Sequence, residues 1–196
     1  NSVFTNGAGN YSGWLHRYVR YRGLQHHGRT QLAPTSGAMG YGVPAAVAAK
    51  AVHPDRPVIC FSGDGDYMMT GQELATAVQY KLPIIILLVN NGMYGTIRMH
   101  QEREYPERVH GTALSNPDFA ALARAYGAHG ETVRTTGEFP AAYERAVASG
   151  KPAILELQID PDVITTRTTL SSIRTKSLKA RAEAVAAVAA PQNPTA

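Results

Sequence analysis

The sequence predicts an α/β protein: a three-layer sandwich in which a mostly parallel sheet is flanked by helices. Two short, continuous apolar runs, RPVICFS and LPIIILLVN, are rich in β-branched residues, as are strands buried on both faces of a parallel sheet. The segment between them, TGQELATAVQY, has apolar residues at helical spacing and is long enough to connect parallel neighbours. Strand and helix patterns also alternate along the rest of the chain, which favours the same architecture.

The elements of the first half follow in order. SVFTN is predicted to be the first strand, and it leads into a glycine-containing turn, NGAGNYSG. PTSGAMGYGVPAAVAAKAV begins with small residues and ends as an alanine-rich helix, in which Pro44 is tolerable only in the first turn. The βαβ unit comes next, and Thr70 and Glu73 stand three apart at the start of its helix, which is a capping-box signature.

The second half continues the alternation. SNPDFAALARAYG is predicted to be a helix capped by Ser115 or Asn116 and ended by Gly127. ETVRT is a weak strand, GEFPAAYERAVASGKP is a helix ended by Gly150, and AILELQI is a strand. From Ser177 an alanine-rich helix is expected to fray into PQNPTA. We therefore predict one domain over residues 1–176 and a helical tail over residues 177–196.

Bulk composition limits the class of protein. With 196 residues, 44% hydrophobic and 17% charged, the chain can bury the core of one domain. Its single cysteine, Cys60, lies in an apolar strand run, which excludes an intrachain disulfide and favours a reducing compartment. The apolar runs are shorter than the about 18–20 residues of a spanning helix, and no charged-then-apolar leader opens the chain. We expect a soluble, cytoplasmic protein.

The net charge of +4 raises the question of nucleic acid. Basic residues are densest in WLHRYVRYRGLQHHGR, where Arg17, Arg20, Arg22 and Arg29 stand among tyrosines and histidines. That mixture suits phosphates and stacked bases. However, no nucleic-acid-binding motif accompanies it, so we favour a solvated or subunit-facing segment and expect no nucleic-acid partner.

Polar residues follow both strands of the βαβ unit. Asp64, between two glycines, follows the first strand, and Asn91 follows the second. Ligands of open parallel sheets bind beyond the carboxyl ends of the strands, so we expect both side chains at one ligand. Their oxygens suit Mg²⁺ or Ca²⁺, and Mg²⁺ commonly completes its shell with phosphates and water. The flanking glycines are expected to allow close approach of a ligand and a strained turn. The sequence thus predicts a diphosphate bound with Mg²⁺.

Other phosphate and metal motifs do not fit this stretch. The sequence contains no GxxxxGK[ST], and GDGDYMMTG lacks the third glycine and the downstream acid of a dinucleotide-binding fingerprint. The pattern of an EF-hand is also absent. GDG alone is compatible with an ordinary surface turn; GDG and NN at the two ends of one βαβ unit are far more specific.

From Gly63 to Asn91 the chain resembles the cofactor motif of thiamine diphosphate enzymes, which runs from GDG to NN. The segments TSGAMGYGVPAAVAAKAV, GQELATAVQYKLPIIILLVNNGMYG and NPDFAALARAYGAHG all resemble the C-terminal diphosphate-binding domain of the acetolactate synthase group. The resemblance covers nearly the whole chain. It implies the thiamine diphosphate-binding fold, with thiamine diphosphate and Mg²⁺ as cofactors.

The resemblance also implies roles for individual residues. Asp64 would bind Mg²⁺ through its carboxylate, Asn91 through its amide oxygen and Met93 through its backbone carbonyl. Backbone amides of Gly65 and Asp66, and of the Gly9–Asn10 turn, would contact the diphosphate. The Gly37 carbonyl would accept a hydrogen bond from the 4′-amino group, and Met39 would support the bent cofactor. Gly63, Ala38, Tyr94 and Gly95 complete the implied set. The alternatives are that Met39 is core, Gly37 a helix-start glycine and Asn10 a turn residue.

The implied activity is decarboxylation of a 2-oxo acid, followed by protonation or by ligation to a second carbonyl compound. In this family the activating glutamate belongs to a pyrimidine-binding domain, which these residues lack, so we expect a fragment or one subunit that is inactive alone. The family also implies a dimer or tetramer. A non-catalytic or regulatory paralogue is the alternative.

Two stretches depart from the acetolactate synthase pattern. GTIRMHQEREYP places Met99, His100 and Gln101 where the synthases have a tryptophan in a QWQ context. His100 is a candidate proton donor or substrate contact, or else a loop histidine that faces water. In the first loop, Asn6, Gly9 and Asn10 replace an acid, a glutamine and a histidine. The product is therefore left open.

Overall fold

The structure, a computed structural model, describes residues 1–21, 28 and 30–189. Its six strands form one parallel sheet in the order β2-β1-β3-β4-β6-β5. The strands are β1 Val3–Asn6, β2 Gln31–Leu32, β3 Val58–Gly63, β4 Ile84–Asn90, β5 His129–Val133 and β6 Ala153–Gln158. The predicted α/β class is confirmed. Arg22, Arg29 and the PQNPTA end lie outside the described residues.

Helices lie between the strands and after the last one. They are α1 Ser12–Tyr18, α2 Gly42–Val52, α3 Asp64–Thr70, α4 Leu74–Gln79, α5 Gly95–Glu104, α6 Phe119–Ala125, α7 Phe139–Ala148 and α8 Leu170–Ala189. Short 3₁₀ turns at Gly71–Glu73 and Thr136–Glu138 precede α4 and α7. In the described part of the chain, no helix combines the length and the apolar character that crossing a membrane requires.

Alternating side chains of the central strands bury both faces of the sheet. In β4, Ile86 and Leu88 pack with residues of α2, α4 and α6, whereas Ile85 and Leu87 pack with residues of α7. Each fully buried aliphatic side chain contributes about 1.5–3 kcal/mol. Two buried faces explain why the strand runs are continuously apolar, and they form the predicted three layers.

The junction after β3 differs from the prediction. The crossover begins as a helix at Asp64, directly after the strand, and not at Thr70. Thr70 Oγ1 donates to the Gly40 carbonyl at 2.6 Å, so the predicted capping box does not form. Neither Gly63 nor Gly65 has a positive φ, and the expected strained turn is also wrong. The left-handed glycine of this region is Gly92, with φ +70°.

The positions at which α6, α7 and α8 begin or end agree only in part with the predictions. Asp118 caps α6 by accepting a hydrogen bond from the Ala121 amide at 2.7 Å, so the predicted cap at Ser115 or Asn116 is wrong. Gly127 and Gly150 follow α6 and α7 with φ of +85° and +62°, which confirms the prediction that these glycines end the two helices. The last helix begins at Leu170, before Ser177.

Candidate functional site

The candidate site lies at the carboxyl ends of β3 and β4, which are parallel neighbours. Gly63 at the end of β3 pairs with Val89, so the residues that follow both strands emerge at the same edge of the sheet. The backbone amide of Gly92 donates a hydrogen bond to Asp64 Oδ2 at 2.8 Å. The GDG segment is therefore in direct contact with the loop that follows the two asparagines.

The Asp64 carboxylate is buried and held from three directions. Only 3% of the residue is exposed. Oδ1 accepts from the Gly65 amide at 2.9 Å, and Oδ2 accepts from Gly92 and from Asn116 Nδ2, the latter at 2.7 Å. Burial nevertheless raises the pKa of Asp64, although the hydrogen bond from Asn116 and those from the backbone lower it. These donors therefore do not fully offset the hydration that the charged carboxylate loses on burial.

The two asparagines after β4 have different environments. Asn90 Nδ2 donates to Glu156 Oε1 at 2.7 Å, which fixes this side chain to the neighbouring strand β6. Asn91 Oδ1 accepts a hydrogen bond from the Met93 amide at 3.2 Å, and Asn91 borders the cavity described next. Asn91 thus borders the cavity, whereas Asn90 is bonded to the interior of the protein.

A cavity opens at this edge of the sheet, and most of the predicted cofactor-binding residues line it. They are Gly9, Asn10, Met39, Gly63, Asp64, Gly65, Asp66, Asn91, Met93, Tyr94 and Gly95. Gly37 and Ala38 are exposed in the same loop as Met39 and do not belong to the lining. His100 is exposed on α5 and is also outside the lining.

Aromatic rings lie against the glycines of the GDG segment. A Cβ atom added to Gly63 would meet the Tyr11 ring at 2.8 Å, and one added to Gly65 would meet the Tyr94 ring at 2.6 Å. These distances are below ordinary van der Waals contact. The glycines are therefore required here because the rings approach the backbone, and not because the backbone is left-handed.

Asp66 contributes more than the backbone amide that the sequence predicted. Its buried carboxylate accepts hydrogen bonds from the Gly40 amide at 2.7 Å, Ser62 Oγ at 2.6 Å and Tyr11 Oη at 2.8 Å. Burial, and then the charge of Asp66, raises the pKa of Tyr11, so the phenol remains a donor. Together with Thr70, Asp66 holds both polar backbone groups of Gly40, next to Met39.

Sequence reasoning missed several residues of the site. Asn116 was interpreted only as a helix cap, because Asn–Pro–Asp is typical of helix starts. The unpredicted residues of the cavity lining are Ala8, Tyr11, Trp14, Val89, Thr96, Ile97, Ile159, Val163 and Ile164. Most are apolar, and the sequence carries no local signal for them, although several lie close in sequence to predicted site residues or to the end of β6. Trp14 is the only tryptophan of the chain, which makes it a natural optical reporter.

The donor set decides which metal could be held here. The described residues contain no group of three or more His, Cys, Asp and Glu side chains arranged to hold a metal ion. The Asp66 carboxylate already accepts three hydrogen bonds. The Asp64 carboxylate, the Asn91 amide oxygen and nearby backbone carbonyls remain, and these are hard donors suited to Mg²⁺ and not to zinc. This small number of protein ligands is typical of an Mg²⁺ ion whose remaining coordination positions are filled by a phosphate-bearing ligand and water.

Comparisons with known proteins agree with this geometry. Residues 7–157 match the family model "Thiamine pyrophosphate enzyme, C-terminal TPP binding domain". The chain is 36% identical over 162 residues to the Escherichia coli acetolactate synthase isozyme 2 large subunit, covering 81% of this chain and 28% of that protein. It is 34% identical over 161 residues to the acetolactate synthase large subunit of Pyropia yezoensis, covering 81% of this chain and 27% of that protein.

A solved structure gives the same result. Benzoylformate decarboxylase from Polynucleobacter necessarius superposes with a TM-score of 0.73 at 26% sequence identity, covering 82% of this chain and 30% of that one. The chain thus spans less than a third of the length of these relatives. The resemblance drawn from GDG and NN is confirmed. The chain belongs to the thiamine pyrophosphate enzyme family, of which it represents the C-terminal TPP-binding domain.

Proposed function

We propose that this chain binds thiamine diphosphate together with Mg²⁺ at the edge of the sheet where β3 and β4 end. It would serve as the diphosphate-binding domain of an enzyme that decarboxylates a 2-oxo acid, ligates the product to a second carbonyl compound, or does both. The observation that carries this proposal is the contact between Asp64 and the NN loop through the Gly92 amide. It brings hard oxygen donors from two strands to one cavity.

The proposal assigns separate residues to the metal and to the diphosphate. The Asp64 carboxylate, the Asn91 amide oxygen and the Met93 carbonyl would hold Mg²⁺. Backbone amides of Gly65 and Asp66 and of the Gly9–Asn10 turn would contact the diphosphate. The Gly65 amide would then be shared with Asp64 Oδ1, and the Asn10 amide with Thr96 Oγ1. Asp64 is buried and borders the cavity, where a bound cation would stabilise its charged form.

The loop before α2 would hold the other end of the cofactor. Met39 lines the cavity and is 36% exposed, so it is available as an apolar support beneath a bent cofactor. The Gly37 carbonyl would accept a hydrogen bond from the 4′-amino group. When bound, the cofactor would supply a nucleophilic carbon and an electron sink for the carboxylate's departure. The chain's own contribution is orientation and an apolar surrounding.

The remaining parts of the enzyme are also proposals. The relatives are much longer, so we propose that a pyrimidine-binding domain of the same or a partner chain completes the site, in a dimer or tetramer in the cytoplasm. Exposed apolar side chains of the loop before α2 and of α3, two elements that contribute to the cavity lining, support such a partner: Met39, Tyr41, Met68 and Met69. A non-catalytic paralogue is disfavoured because it would not need Asp64 and Asn91 at one cavity.

Calorimetry of the chain with thiamine diphosphate, with and without Mg²⁺, tests the proposal. We expect Mg²⁺ to tighten binding in the wild type, and Asp64→Ala to abolish the effect of the metal. Asp55→Ala is the matched control, because Asp55 is exposed in the turn that precedes β3, at the other end of this strand. Failure of the wild type to bind, or an unchanged metal effect in Asp64→Ala, would overturn the proposal.

A further inference from the structure

A line of hydrogen bonds connects Asp64 to the interior of the sheet through side chains. Asn116, which is half-buried in the loop before α6, donates from Nδ2 to Asp64 Oδ2 at 2.7 Å and to Asn90 Oδ1 at 2.9 Å. Both protons of its amide group are therefore used. One of them reaches the carboxylate that the proposed function assigns to the metal.

The line continues from Asn90 into β6 and β5. Asn90 Nδ2 donates to Glu156 Oε1 at 2.7 Å, and Thr132 Oγ1 donates to Glu156 Oε2 at 2.9 Å. Glu156 is only 4% exposed, on the strand that pairs directly with β4. Its position is thus set by the paired central strands of the sheet.

The two carboxylates at the ends fix the direction of every hydrogen bond between them. Carboxylates only accept, so Asn90 must turn its NH₂ group toward Glu156 and its oxygen toward Asn116. Asn116 must then present its NH₂ group to Asn90 and to Asp64. Rotating either amide by half a turn would place oxygen against oxygen. Consequently, the buried Asp64 carboxylate is held in one orientation and not merely solvated.

We propose that Asn116 is a positioning residue for Asp64, and that Asn90 and Glu156 keep it in place. This inference rests on the proposed function, because Asp64 is taken as a metal ligand. Groups that orient metal ligands typically change metal affinity about 10–100-fold when they are removed. Asn116 acts through Asp64 and not on the diphosphate. It should therefore strengthen binding of the cofactor only when the metal is present.

The test measures how much Mg²⁺ tightens thiamine diphosphate binding, as the ratio of the Kd without metal to the Kd with metal. Quenching of Trp14, the single tryptophan in the cavity lining, reports both constants without any need for activity. In Asn116→Ala we expect this ratio to fall about 10–100-fold, while the metal-free Kd stays that of the wild type. Ser115→Ala, at the exposed neighbouring position, should keep the full ratio.

A second pair of variants covers the case in which Asn116→Ala folds poorly. Glu156→Gln can still accept from Asn90 and can donate to Thr132, so it should keep the metal effect. Glu156→Leu removes the acceptor of the Asn90 hydrogen bond, so Mg²⁺ should tighten cofactor binding much less in this variant. The inference would be overturned if the ratio of the two Kd values is unchanged in Asn116→Ala or in Glu156→Leu. It would also be overturned if cofactor binding weakens equally with and without Mg²⁺. If the wild type itself shows no metal effect, the proposed function fails instead.

Discussion

Gly65→Ala offers a structural test of how closely Tyr94 packs on the GDG segment. Gly65 is the second residue of α3, and an added Cβ atom would lie 2.6 Å from the Tyr94 ring and 3.2 Å from Leu114. Gly13 is the second residue of α1, and a Cβ atom there would meet nothing within 4 Å. The two glycines therefore form a matched pair that differs in packing and not in secondary structure.

The expected magnitudes follow from two opposing effects. Alanine is favoured over glycine in a helix by up to about 1 kcal/mol, which applies to both positions. Only Gly65→Ala also overpacks its surroundings, which typically destabilises a protein by about 1–3 kcal/mol. Gly13→Ala should therefore be as stable as the wild type or slightly more stable. Gly65→Ala should be less stable than Gly13→Ala by about 1–3 kcal/mol.

Urea unfolding followed by far-ultraviolet circular dichroism measures both free energies. Repeating Gly65→Ala in a Tyr94→Ala background isolates the ring, because removal of the ring should recover most of the loss. If Gly65→Ala and Gly13→Ala are equally stable, the ring does not pack on Gly65 as described. An undiminished loss in the Tyr94→Ala background would likewise refute this explanation.

Two further predictions concern charges and burial away from the cavity. Hydrogen bonds from Arg174, with a smaller contribution from the charge of Arg98, lower the pKa of the buried Glu102 below its ordinary value of 4.5. The ionised Glu102 therefore stabilises the fold above about pH 4.5, and this stabilisation is lost as the pH falls through the lowered pKa. Glu102→Gln should reduce the free energy of unfolding by about 1.5–3 kcal/mol at neutral pH. Urea unfolding at several pH values should show this gap closing in acid, and a gap that does not depend on pH contradicts the assignment. Burial raises the pKa of Cys60 to about 12, so a thiol reagent at mildly alkaline pH should modify it only after denaturation; rapid modification of the folded chain would contradict that burial.

The βαβ unit and its two polar ends could be predicted because the information is local. Continuous apolar runs identify strands with two buried faces, and parallel neighbours must end at the same edge of the sheet. The position of Asp64 beside the NN loop follows from these two facts. Met39 and the Gly9–Asn10 turn were found by resemblance to a family and not by local pattern.

The polar contacts around Asp64 could not be predicted because they join residues distant in sequence. Asn116 reaches Asp64 across 52 residues, and Tyr11 reaches Asp66 across 55. Ser, Asn and Asp before a helix suggest capping, and nothing local indicates that Asp118 would cap while Asn116 turns inward. The start of α3 could not be predicted for a different reason: Gly65 in its first turn argues against a helix, but tertiary packing outweighs propensity.

The most direct test of the account is a crystal structure of the chain with thiamine diphosphate and Mn²⁺ in place of Mg²⁺. The account predicts an anomalous-scattering peak bonded to the Asp64 carboxylate, the Asn91 amide oxygen and the cofactor's diphosphate. A metal ion bound elsewhere on the chain, or a diphosphate bound without contact to either side chain, would contradict it.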